Sequence, residues 1–186
     1  VKLSFKQCLS TVTSYGKYVN MADAISPSTG ASALFLRETE LRRGIELLYF
    51  GYANMIRGAD DLLRTRGLGR AHHRALYFIA RRPDMPVSDL LRLLGITKQS
   101  LSRVLADLQQ QGHVDLIVGD RDRRQRLLRL TGSGAALEAA LFEELRDGMA
   151  RAYSTAGQSA VTGFWTVLTG LIPAPDRPLI EALQQL

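Results

Sequence analysis

Residues 85–134 read MPVSDLLRLLGITKQSLSRVLADLQQQGHVDLIVGDRDRRQRLLRLTGSG. Val87, Leu90, Leu91 and Leu94 recur at helical spacing and form the buried set of a short helix. Ser88 is a suitable N-cap for it, because a hydroxyl can accept from an orphan backbone N–H. Gly95 fits a left-handed residue past its C-terminus. Thr97 then caps a second helix over about 98–110, with Leu101, Val104, Leu105 and Leu108 facing the core and Gly112 ending it. His113 to Val118 alternates partially, as a strand does. Gly119-Asp120-Arg121-Asp122 is turn-rich, and Gln125 to Thr131 returns with Leu128 and Leu130 on one face and Arg129 on the other. Thr131 caps a further helix entering at Gly132-Ser133-Gly134.

Two short helices joined at a glycine, with a basic hairpin behind them, suit one use in particular. The second helix can lie in a DNA major groove with the hairpin as a wing beside it. Thr97, Lys98, Gln99, Ser100, Ser102 and Arg103 occupy the exposed N-terminal half of that helix. Gln99 and Arg103 are the best candidates for reading base edges, and Lys98 and Ser100 for holding phosphates. Arg121, Arg123, Arg124 and Arg126 cluster at the hairpin, where arginine suits a narrow minor groove. Asp122 can orient a neighbouring arginine. The plainer alternatives are a solvated helix face and a solubilising charged turn.

Working outward, a long helix is expected over about 34–57, continuing near 59–65. Leu41, Ile45, Leu48, Tyr52 and Met55 fall on one face, widened by Leu34, Leu47 and Phe50. That stripe belongs either to the core of its own chain or to a dimer interface. Another helix is expected over about 70–81, and Pro83 and Pro86 bracket a short extended link. Downstream, helices are expected to about 154, over about 159–171, and in a short terminal piece after Pro173, Pro175 and Pro178. Residues 1–30 lack a sustained apolar stripe and read as a flexible extension. The domain expectation is a principal domain over 31–171 and a tail with a short helix over 172–186. The principal domain divides into 67–131 for the helix-turn-helix and wing, with flanking helices at 34–65 and 132–171.

The 186 residues hold 24 basic and 18 acidic side chains, a formal charge of +6, and 46% apolar residues. A real core is therefore affordable, and the excess positive charge, which lies upstream of residue 132, can attract a polyanion. Cys8 is the only cysteine, so no internal disulfide can form; with no signal-peptide pattern, the cytoplasm is the simplest address. No apolar run approaches a membrane span. His72, His73 and His113 offer no converging metal-ligand set, and there is no phosphate-binding glycine loop or nucleophile–base arrangement. No cofactor and no catalytic residue is expected, so a binding protein is favoured over an enzyme. The remaining alternative to a DNA reader is a winged-helix module that docks another protein through the same basic surface.

Several segments together resemble the MarR-type winged helix-turn-helix transcription regulators. They are Leu90 to Leu94, Gly95-Ile96-Thr97-Lys98-Gln99-Ser100-Leu101-Ser102-Arg103, Leu108, Gly112, Asp122-Arg123-Arg124, and Leu128-Arg129-Leu130-Thr131-x-x-Gly134. Leu68-Gly69-Arg70-Ala71-His72-His73-Arg74 and Ile96 to Leu101 are similar to a PetP-like subgroup. The resemblance implies a mainly α fold with a small β wing, in which the first and last helices build a homodimer. It also implies repression by covering double-stranded promoter DNA at inverted repeats. It places a cleft for a small aromatic or amphipathic effector between the first two helices and the start of the fifth. Tyr49, Tyr52, His72, His73, Arg74 and Tyr77 are the residues offered there, unless they simply pack the junction. Arg121 stands where the family pattern often has proline, which adds charge to the wing tip.

Overall fold

The helical periodicity upstream of the hairpin resolves into separate helices, and the hairpin gains a third strand. The computed structural model describes residues 33–119 and 125–184. The chain divides into two compact units, residues 1–46 and 47–186. In the first, the described part is a 3-10 turn at Ala33–Leu36 and the opening turns of α1 (Glu38–Met55). The second unit continues with α2 (Arg57–Arg64), α3 (Arg70–Arg81), β1 (Met85–Pro86), α4 (Val87–Leu94) and α5 (Lys98–Gln110). Then follow β2 (Val114–Val118), β3 (Arg126–Leu130), α6 (Gly132–Ala156), α7 (Gln158–Gly170), a 3-10 turn at Ala174–Asp176 and α8 (Arg177–Gln184). The fold is mainly helical with a small antiparallel wing, as expected.

Three local features differ from the sequence reading. The helix expected over about 34–57 begins as a 3-10 turn and ends at Met55. Ile56, at φ −88° and ψ −1°, separates it from α2. Ile56 is itself buried, and beyond it Ala59 and Leu63 turn fully into the core. Ser88 is not the cap of α4. Pro86 holds the N-cap position in an extended conformation, and no side chain caps the helix. Asp89 in its first turn instead pairs with Arg82 at 2.9 Å. The link bracketed by the two prolines is a strand: Met85 pairs with Leu128 and Pro86 with Leu127, giving the sheet order β1-β3-β2. Pro86 is tolerated because β1 is an edge.

The core gathers on this sheet. Leu76 and Ile79 of α3, Leu90 of α4, Leu101 and Leu108 of α5, Met85, Val114 and Leu128 of the strands, and Leu141 of α6 are at most 2% exposed. Each such side chain contributes about 1.5–3 kcal/mol by leaving water. By contrast, α1 and α7 bury no residue completely. Leu41, Ile45, Leu48 and Tyr52 are exposed and Met55 is half-buried. From Leu47 onward α1 shares a largely apolar cavity of about 750 Å³ with α6 and α7, where Trp165 Nε1 donates to the Tyr153 hydroxyl at 2.9 Å. No helix among the described residues is long and apolar enough to cross a membrane.

Two glycines in helices test the packing in opposite senses. A Cβ on Gly134 would fall on the backbone carbonyl of His113, which cannot move without disturbing β2. A Cβ on Gly58 would meet only the flexible carboxylate of Glu144. Gly134→Ala should cost about 1–3 kcal/mol in denaturant melts. Gly58→Ala should be close to neutral, because the helix propensity gained offsets the displacement of one side chain. Equal stability of the two variants would contradict this account.

Candidate nucleic-acid interface

Helix α5 is anchored from three directions. Its N-cap Thr97, at φ −70° and ψ 153°, accepts from Ser100 N at 3.1 Å and donates to Ser100 Oγ at 2.9 Å. Gly95 makes the preceding turn at φ 62° and ψ 32°, the left-handed conformation that glycine adopts without a Cβ penalty. Leu101, Val104, Leu105 and Leu108 bury the inner face. From α3, His72 binds Asp107 through Nε2 at 3.1 Å while its Nδ1 accepts from Gly69 N at 3.1 Å. The Nδ1 acceptor role leaves the proton on Nε2, so His72 donates to Asp107. Arg74 adds a bond to the Leu93 carbonyl at 3.2 Å, tying α3 to the end of α4.

The outer face of α5 is left free. Lys98, Gln99, Ser102 and Arg103 are exposed and make no side-chain hydrogen bond or ion pair among the described residues. Ser102 and Arg103 lie three and four residues after Gln99, and Ala106 lies four and three residues after them, so the four share one face. Thr97 and Ser100 are also exposed, but their hydroxyls are engaged with each other in the cap.

Alongside runs the wing. Strands β2 and β3 pair from Val114 with Leu130 to Val118 with Arg126. Arg126 is exposed at the start of β3. A groove of about 520 Å³ brings Ser102 and Arg126 together, with Pro86, Ser88, Gln109 and Gln125 also in its lining. Arg121, Arg123 and Arg124 lie outside the described residues, as do Cys8 and the extension over residues 1–30. Arg129 is spent internally, on a two-pronged bond to Asp84 at 2.9 and 2.6 Å. Asp84 sits at φ 59°, a left-handed position that Asp tolerates better than most residues.

The residues offered for an effector cleft are distributed. Tyr49 is exposed on α1, and Tyr52 lines the cavity shared with α6 and α7. Tyr77 lines a separate cavity near α8. His72 and Arg74 hold α5 and α4, as described above, and His73 is buried. Sequence reasoning missed Gln109 as a neighbour of the α5–wing groove. The seven-residue step from Ser102 to Gln109 was the available signal.

These features have close counterparts. A family profile described as MarR family matches residues 66–125. The HTH-type transcriptional regulator PetP of Rhodobacter capsulatus is 46% identical over 158 residues, covering 84% of this chain and 95% of that protein. The chain belongs to the MarR family. Among solved structures, a MarR family regulator from Silicibacter pomeroyi aligns with TM-score 0.60 at 22% identity, over 76% of this chain and 94% of its own. A mutant MarR from E. coli complexed with operator DNA aligns with TM-score 0.58 at 21% identity, over 76% and 100%. Both support the fold.

In this MarR family chain the base of the wing is held by a histidine. His113 Nδ1 meets Ser133 Oγ at 2.9 Å, and its carbonyl accepts from Thr131 N at 3.1 Å. Burial lowers the His113 pKa from 6.5, and the charge of Arg66 adds to the effect. Burial also lowers that of His73, against a smaller opposing pull from Asp60. The folded state therefore takes up a proton on these rings less readily than the unfolded chain does. Their contribution is present above the ordinary value of 6.5 and is lost as pH falls towards the depressed values. Denaturant melts should show stability falling as pH drops below the ordinary histidine value of 6.5. His113→Gln should make that dependence shallower, and an unchanged slope would remove His113 as a cause.

Proposed function

We propose that this chain is a sequence-specific double-stranded DNA-binding transcriptional regulator, a repressor that binds inverted-repeat promoter sites as a homodimer. Within the family we place it in a PetP-like subgroup, on the extent of its similarity to PetP. The observation that carries the DNA reading is the free polar face of α5. Lys98, Gln99, Ser102 and Arg103 are exposed and have no side-chain partner among the described residues, on a helix whose other face is fully committed to the core. A helix so held presents its N-terminal groups to base edges and phosphates with little ordering cost. In this reading Gln99 and Arg103 read bases, and Thr97, Lys98, Ser100 and Ser102 hold the backbone. Arg126, with Arg121, Arg123 and Arg124, supplies the wing contact.

The dimer reading rests on apolar surface that its own chain leaves in water. Trp165 is 54% exposed, Val167 62% and Leu171 64% on or beside α7, and Leu47 and Phe50 of α1 are 64% and 69% exposed. A second copy would bury such a face symmetrically and set two recognition helices about one DNA turn apart. Release by a small aromatic or amphipathic effector is part of the same proposal, at the level of the family resemblance. Tyr52 and Tyr77 are the members of the expected set that line cavities.

Fluorescence anisotropy with promoter fragments, repeated across salt concentrations, tests the reading. Specific binding that weakens steeply with salt is expected. Arg103→Ala should cost about 1–3 kcal/mol if it makes a two-pronged base contact. Full affinity in a folded Arg103→Ala protein would strike Arg103 from the reading set. Weak, sequence-independent binding by the wild type would favour a protein-docking module instead. Sedimentation should give a dimer at low micromolar concentration, and a monomer there would overturn the inverted-repeat architecture.

A further inference from the structure

The wing is a two-strand ribbon, and a ribbon needs two points of attachment to hold its angle. One is at its root, where Thr131 N donates to the His113 carbonyl at 3.1 Å. The second lies where β3 meets β1, and there the strand backbone alone offers little. β1 has two residues, and one of them, Pro86, has no N–H to donate. Asp84, just before the strand, makes up the difference. Its N–H donates to the Leu128 carbonyl at 3.0 Å, and its carboxylate oxygens accept from Nε and Nη2 of Arg129 at 2.9 and 2.6 Å.

Asp84 is itself a fixed point. Met85 beside it is fully buried, and Arg82, two residues earlier, pairs with Asp89 of α4 at 2.9 Å. Its φ of 59° leads the chain into β1. Asp and Asn take that conformation more readily than other residues with a side chain. Arg129, for its part, has a choice of acids. Asp115 stands opposite it in the β2–β3 pair, on the same face. A bond to Asp115 would keep Arg129 within the ribbon, whereas the bond to Asp84 ties the ribbon to the link between α3 and α4. The guanidinium takes Asp84, with both prongs.

We propose that Asp84 is a positioning residue for the wing: through Arg129 it sets the angle at which Arg126 reaches DNA. This rests on the reading of Arg126 as a wing contact. Arg126 lies three residues from Arg129 on β3, about 10 Å along the strand. A swing of about 10° about Arg129 would displace it by about 1.7 Å, more than the roughly 0.5 Å within which a binding group must be held. The Asp84–Arg129 pair is exposed, so its contribution to stability is small and its effect is geometric.

The test is Asp84→Asn in the full chain, which keeps the backbone bond and the left-handed turn but gives up the charge and one of the two acceptors. Two accounts of this variant differ in sign. A mere surface acid repels DNA, so its loss should tighten binding. Loss of a positioning residue should instead weaken binding about fivefold to the promoter fragment that the wild type selects, read by fluorescence anisotropy. Arg126→Ala, which weakens the wild type, should then change little in the Asp84→Asn background. In the free protein, hydrogen exchange should quicken over Val114–Val118 and Arg126–Leu130 while α3 is unchanged. The melting temperature should stay within about 2 °C of the wild type. Unchanged or tighter DNA binding by Asp84→Asn would overturn the proposal. So would a full effect of Arg126→Ala in that background, or unaltered exchange in the two strands. A wild type that selects no promoter fragment overturns the DNA reading beneath the proposal instead, and the exchange result still decides whether Asp84 orders the wing.

Discussion

One hydroxyl holds the working parts of this protein in register. Thr131 Oγ1 accepts from Gly134 N at 3.0 Å and donates to the Gly112 carbonyl at 2.7 Å. Its own amide donates to the His113 carbonyl at 3.1 Å. Gly112 ends the turn after α5, Thr131 follows β3, and Gly134 is in the first turn of α6. Helix α5, the wing and α6 are therefore joined at one point within a few ångströms. Gly134 is required there because the His113 backbone occupies the place of a Cβ. The motif Leu-Thr-x-x-Gly is thus a packing device as much as a capping one, and valine for Thr131 would remove both bonds while keeping the shape.

Much of this was legible in the sequence, and the reason is locality. Thr97 and Thr131 cap helices three residues away, Gly95 turns at its own φ, and Leu101, Val104, Leu105 and Leu108 follow one helical period. What was illegible depends on partners far along the chain. Ser88 looked like a cap, but Pro86 was already extended by its pairing with Leu127 of β3, so the helix begins two residues earlier. A strand of two residues has no periodicity to read. Asp84 finds Arg129 only because β1 lies beside β3, 45 residues later. The effector set failed to gather in one place for a related reason. His72 and Arg74 point towards α5 and α4, whereas Tyr52 faces α6 and α7, and helical spacing alone does not say which neighbour a face will meet.

The positive charge is sorted in the same way. Arg70, Arg82 and Arg129 are paired with Asp60, Asp89 and Asp84, at 2.7, 2.9 and 2.6 Å. Each bond braces a turn: α2 to α3, α3 to α4, and β1 to β3. Exposed pairs of this kind contribute little to stability on average, so their value is geometric. Lys98 and Arg103 on α5 and Arg126 on the wing have no such partner among the described residues. A formal charge of +6 therefore understates the contrast along the surface. Cations next to acids are neutralised locally, and those beside the α5–wing groove keep their field.

That sorting bears on how a small molecule could influence α5. The helix is rigid by burial on its inner face and by His72 at Asp107, so a ligand cannot easily bend it. A packed core has discrete arrangements and does not deform continuously. A ligand would have to move α5 as a body, together with the wing that Thr131 ties to it. The points at which a body can be shifted are its attachments to α3 and α4, namely His72–Asp107, Arg74 with the Leu93 carbonyl, and the turn at Gly95. These attachments are polar and solvent-accessible, so they can be exchanged at lower cost than the leucine contacts beneath them. If a small molecule couples to the outer face of α5, the coupling would then show as a change in the angle of the α5–wing unit. The buried contacts of Leu101 and Leu108 would be carried along intact.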